Sequence, residues 1–216
     1  MVSAIAANGL IARGAGGVGA RAPLELRCAI YDDRYAEGRR FAAVAGGHGA
    51  STRALDEGDI TKFWSGELEA LWQREPFGLA GFTQFGPMFV VERVAAERRM
   101  RMALRVEHRS ATDGTLVHTL TGPRESLALA TGSDALRSDW PALMAMLAAR
   151  VAGDRSAHRT AVLHTPGPAP LLATAAPSDA PSYIHYYSPY ALQVGHGPAL
   201  DGPVYTWVVA PRAQGG

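Results

Sequence analysis

Apolar residues along this chain change their period several times, and each change marks an element. Leu24–Tyr31 is a largely apolar stretch, interrupted by Glu25 and Arg27 and closed by Asp32-Asp33-Arg34. It reads as a buried strand. In Tyr35–Gly46, Phe41, Val44 and Ala45 share one helical face, and Gly46-Gly47 ends it. Ser51–Leu55 reads as a short second strand. Ile60, Phe63, Trp64, Leu68, Leu71 and Trp72 then form a broad stripe at helical spacing, with Asp59 as N-cap and Pro76 as the stop. An Asp carboxylate accepts from the free N–H groups of the first turn, so the start is well marked. With this stripe in a core, Trp64→Ala is expected to cost ~3–5 kcal/mol. Phe77–Thr83 is a third short strand. Gly86-Pro87 opens a helix running to about Arg99, with Pro where its missing N–H costs nothing.

Strict alternation begins at Ala103. Ala103–Ser110 and Thr115–Thr121 flank Asp113-Gly114, a hairpin signal. With Thr112-Asp113-Gly114 as a three-residue loop, Leu104, Val106, His108, Leu116, His118 and Leu120 share one face. Arg105, Glu107, Arg109, Thr119 and Thr121 share the other. A two-residue turn would mix apolar with charged partners, so burial selects the first register. Asp139 caps a further helix, Trp140–Ala152. Thr165–Pro181 is rich in Pro, Ala and Thr and reads as a loop. Tyr183–Tyr187 and Pro203–Val209 read as strands joined through Gly195–Gly202.

Strand and helix alternating three times is the signature of a parallel sheet with crossover helices. The expected fold class is therefore α/β: a three-layer open sheet with a parallel βαβαβα core, then an antiparallel hairpin and a C-terminal β-rich extension. The expected organisation is an unstructured or signal-like lead at 1–22 and an α/β domain at 23–164. A loop at 165–181 and C-terminal strands at 182–216 complete it, the strands packed on the same domain.

Composition narrows the function classes. The 216 residues are 47% apolar, enough for one sizeable core, and the net charge of +1 gives no overall field for phosphate backbones. The basic run Arg93–Arg109 is interleaved with Glu92, Glu97 and Glu107 and holds no aromatic residue to stack on a base. Nucleic acid is not an expected partner. No run reaches the roughly 18 apolar residues of a membrane span. Lys62 is the only lysine, and the excess of Arg, Ala and Gly is the composition of a GC-rich bacterial genome. Cys28 stands alone in an apolar stretch and behaves as a small hydrophobe.

Val2–Ala12 is mostly apolar and of signal-peptide length, and Ala20-Arg21-Ala22 fits a small-x-small cleavage site. No basic residue precedes the apolar run, and Pro23 would follow the cut. An internal start at Met1, with a basic leader upstream, reconciles the two. Met1–Pro23 resembles the tail of a twin-arginine export signal. With its loose βα pattern, the chain is similar to small uncharacterised bacterial proteins that carry such signals. That resemblance implies a periplasmic address and no particular activity; a cytoplasmic one is the alternative.

Candidate chemistry is sparse. Gly81-Phe82-Thr83-Gln84-Phe85-Gly86 lies between strand and helix, but Thr83 replaces the middle glycine of a dinucleotide turn. A looser anion site at the helix N-terminus remains open. The seven histidines show no H-x-x-x-H spacing. The hairpin register sets His108 opposite His118, within reach of one metal or one shared proton, with no third ligand. Neither metal nor cofactor is expected. His185-Tyr186-Tyr187 and His196 form a polar aromatic cluster suited to a protein partner or a pocket wall. If a small-molecule site exists, it is expected where the first and third strands end. Asp32, Asp33 and Arg34 leave one strand, and Thr83, Gln84 and Gly86 leave the other, a set suited to a polar or anionic ligand. Three functions stand on this reading. They are a non-catalytic accessory protein that binds a ligand or partner, an enzyme acting on an anionic metabolite, and a structural subunit of a larger complex.

Overall fold

The computed structural model describes residues 26–165 and 202–212, apart from Gly114, Gly132 and Arg155. β1 (Leu26–Asp32), α1 (Ala36–Gly47) and β2 (Ser51–Leu55) follow the first apolar runs closely. A helical rod comes next: α2 (Thr61–Phe63), a π-helical turn Trp64–Leu68, and α3 (Glu69–Arg74). Asp59 Oδ1 accepts from Thr61 N–H at 2.7 Å and starts it. β3 (Gly78–Gln84), α4 (Phe85–Glu97), β4 (Met100–Ser110) and β5 (Leu116–Pro123) continue the chain. Then come α5 (Arg124–Thr131), α6 (Ala135–Ser138), α7 (Trp140–Val151), β6 (His158–Thr165) and β7 (Val204–Pro211). Asp139 caps α7, accepting from Ala142 N–H at 3.3 Å.

The seven described strands make one open sheet in the order β2-β1-β3-β7-β4-β5-β6. β2, β1 and β3 are parallel, and each later pairing is antiparallel. α1 and the helices α5–α7 contribute Phe41, Leu127, Leu136 and Leu143 to the core on one face. The rod and α4 contribute Leu68, Trp72, Met88 and Val91 to the core on the other. The mixed α/β open sheet is as expected, but its layers are uneven. No described helix covers the second face of β5 and β6, where Val162 is 53% exposed.

The C-terminal strand joins the same open sheet: β7 inserts between β3 and β4 and is buried along nearly its whole length. Its side chains are apolar on both faces apart from Thr206, which suits a strand covered on both sides. The partner strand expected at Tyr183–Tyr187 lies outside the described residues. β6 adds a strand absent from the sequence reading: its polar face hides a short alternation of Ala161 and Leu163 with exposed neighbours.

The aromatic rod also differs in detail. Ile60, Trp64, Leu68 and Trp72 recur every four residues, wider than the α-helical 3.6. The π-helical turn absorbs that excess and keeps all four facing the sheet. Leu71 is thereby turned outward, 43% exposed, while Trp72 is fully buried. Trp64 is only partly buried, with the Arg98 guanidinium 5.4 Å from its ring centroid. Trp64→Ala should therefore cost ~1–2 kcal/mol rather than a full core penalty. Denaturant unfolding of the variant measures it, and a loss above about 3 kcal/mol would return Trp64 to the core.

Candidate functional site

β1 lies between β2 and β3. The crossover through α1 leaves on one face, and the crossover through the rod returns on the other. Connections that part in this way leave a crevice at the carboxyl ends of the strands. At that point the structure brings Asp32, Arg34 and Gln84 together. Arg34 donates from Nε to Asp32 Oδ1 at 2.8 Å and from Nη2 to Asp32 Oδ2 at 2.6 Å. The Arg34 backbone N–H adds a 3.2 Å bond to Oδ1. Nη2 also donates to Gln84 Oε1 at 3.2 Å, linking the end of β1 to the end of β3.

This is not a surface ion pair. Asp32 is fully buried and the Arg34 side chain is 19% exposed. The fork of a guanidinium matches a carboxylate bidentately, and a charge buried this deeply requires such a partner. Gly58, at φ +77°, lies directly over the pair. A Cβ there would overlap Arg34 Nη2 and come within 2.8 Å of Asp32 Oδ2, so the loop can close on the pair only as glycine. The consequence is electrostatic: the positive charge of Arg34 is matched inside the protein.

Tyr35, the next residue, is fully buried, and its hydroxyl has no hydrogen-bond partner. Burial, then the negative charge of Asp32, pushes its phenol up to about 12, so it is a neutral donor at any ordinary pH. The Gln84 side chain is close enough to influence the phenol, but not in hydrogen-bond geometry. Glu37, two residues on, also holds a buried unpartnered oxygen, Oε2, and burial raises its carboxyl. Unsatisfied buried polar groups are rare in folded proteins, and each calls for an explanation. The sequence reading had Tyr35 only as the first residue of a helix. Its one distinguishing signal is an N-cap position whose residue type cannot cap.

The remaining expected residues divide. Asp33 is exposed, its backbone oxygen taken by Arg39 Nη1. Gly86 is exposed in the first turn of α4, with open space where a Cβ would stand. Thr83 is turned away from the Asp32–Arg34–Gln84 network. Its hydroxyl accepts from Trp207 Nε1 at 2.9 Å and donates to the Gln84 carbonyl at 2.9 Å, so it belongs to the opposite core. Alternation along β3 makes this necessary: Phe82 and Gln84 face one way, and Thr83 the other.

His108 and His118 face each other across β4 and β5, with Ala111 N–H bonded to the Thr115 carbonyl around a three-residue loop. Their Nδ1 atoms are 2.7 Å apart. Two zinc ligands at their usual bond lengths stand about 3.3 Å apart, so this spacing is a shared proton rather than a metal pair. Among the described residues no group of three His, Cys, Asp or Glu could hold a metal ion. His108 stacks on Phe82, with centroids 5.9 Å apart, and lies 4.5 Å from the Trp140 ring. His185, Tyr186, Tyr187 and His196 lie outside the described residues. No helix among the described residues is long and apolar enough to cross a membrane.

No protein-family model matches the chain, and comparisons with curated proteins and with solved structures find no match. The roles of these residues therefore rest on their geometry.

Proposed function

We propose that this chain is a non-catalytic accessory protein that binds a small polar ligand at the carboxyl ends of β1 and β3. The observation that carries the reading is the buried, unpartnered hydroxyl of Tyr35 beside the Asp32–Arg34–Gln84 network, at the point where the crossovers diverge. A ligand oxygen or nitrogen would give that hydroxyl its missing partner. Because Asp32 matches the Arg34 charge, the class that fits is uncharged and polar rather than anionic. The same pairing weakens the catalytic alternative, since neither group is left free to move a proton or to neutralise an anionic substrate. A periplasmic setting belongs to this reading and rests on Met1–Pro23 alone.

Tyr35→Phe removes the hydroxyl and nothing else. The variant should keep its unfolding free energy within ~1 kcal/mol, or gain slightly, because an unsatisfied buried group is lost. Mass spectrometry of small molecules released from protein purified from its source would identify the ligand. Its affinity for Tyr35→Phe should fall ~3–10-fold, the value of one hydrogen bond. Equal affinity for parent and variant would remove Tyr35 from the site.

A further inference from the structure

Four buried side chains form a continuous hydrogen-bonded row across four adjacent strands. Thr206 on β7 meets His108 on β4, Oγ1 to Nε2, at 2.8 Å. His108 meets His118 on β5 through the 2.7 Å Nδ1–Nδ1 contact. His118 Nε2 meets Thr165 Oγ1 on β6 at 2.7 Å. With one proton on each imidazole, the row can be satisfied in two directions. Either Thr206 donates into it and His118 donates to Thr165, or every donor reverses. Both arrangements leave the pair uncharged. One added proton forces both threonine hydroxyls to accept. A second points two N–H groups at each other across 2.7 Å, and the row breaks.

The surroundings offer an added charge no relief. Trp140 of α7 covers both rings, at 4.5 and 5.0 Å, and Phe82 of β3 stacks on His108. His164 on β6 is the titratable neighbour that acts on His118. Asp139, beside Trp140, is already paired with Arg40 of α1 at 2.5 Å. Thr165 matters most at the edge of the sheet. It is the one buried residue of β6, whose other side chains are exposed or half-exposed and which, among the described residues, pairs with β5 alone.

We propose that the Thr206–His108–His118–Thr165 row is an acid-operated latch, closed while the histidine pair is uncharged and releasing β6 from the sheet when further protons enter it. Burial holds both histidines below their ordinary range, which keeps the latch closed at neutral pH. Release is local, because β1 and β3 share no member of the row.

Hydrogen exchange on the native chain, expressed as protection factors, tests this between about pH 7 and pH 4.5. Protection of the amides of Ala161–Thr165 should fall at least about ten-fold, with β1 and β3 unchanged. Imidazole nitrogen NMR should show both rings uncharged at pH 7 and His118 gaining charge only as the pH approaches about 4. His164→Gln should leave the effect intact, and the double variant His108→Leu with His118→Leu should abolish it. Unchanged β6 protection would overturn the proposal. So would simultaneous loss in β1, β3 and β6, or disappearance of the effect in His164→Gln.

Discussion

Trp207→Ala is expected to lower the unfolding free energy by ~3–5 kcal/mol, among the largest losses of any single substitution in this fold. The indole is fully buried in the central strand, packed against the face of β3 that also carries Leu79. Gly81 is its direct partner in the ladder, and a Cβ on Gly81 would overlap the indole ring. Only glycine leaves room for the ring, so Gly81→Ala should cost ~1–3 kcal/mol by overpacking, in a strand with no space to give. The reverse coupling is equally testable. In a Trp207→Ala background, Gly81→Ala should cost little, because the ring it would strike is gone. Chemical denaturation of the two single variants and the double variant gives the coupling free energy. Strict additivity would show that the clash is relieved elsewhere.

Acidification is the second large effect. Burial lowers His118 to about 4, and burial together with the adjacent His118 holds His108 well below its ordinary value of 6.5. The unfolded chain therefore binds more protons than the folded one below about pH 6.5, and stability falls as pH falls. Both contributions are fully present above that value. They are lost progressively down to about pH 4, where His118 alone accounts for about 3 kcal/mol. Asp59 and Asp139 act in a lower window. Their carboxyls are held below 3.8, the first by backbone N–H bonding and the second by Arg40, so their stabilisation is lost only in stronger acid. Urea unfolding at several pH values should show a slope between about pH 6.5 and 4 that the double leucine variant lacks. A flat profile for the parent would mean that the pair is not held uncharged.

The parts of the fold that could be read from sequence are those in which local pattern and tertiary role agree. The β4–β5 register was legible because alternation leaves one burial-consistent choice, and that register set His108 against His118. The meeting of Arg34 with Gln84 was legible as topology, since parallel strands one and three end at the same edge. Other features depend on partners distant in sequence. Nothing local in Val204–Pro211 says that it will sit between β3 and β4. The role of Thr83 follows from Trp207, 124 positions away. Trp64 and Trp72 exchange importance because a π-helical turn lies between them, and a stripe of aromatics does not announce its own winding. Asp32 and Arg34 were visible as neighbours, but their burial depends on Gly58 closing over them.

The central claim is that a ligand sits where β1 and β3 end, against Tyr35. Amide chemical-shift mapping of the native chain, titrated with the small molecule that co-purifies with it, tests this directly. The account predicts the largest shifts at Arg34, Tyr35, Gly58, Gln84 and Gly86, all attenuated in Tyr35→Phe. Shifts centred on the open face of the sheet, at Arg105, Thr119 and Val162, with Tyr35 and Gln84 unmoved, would contradict it.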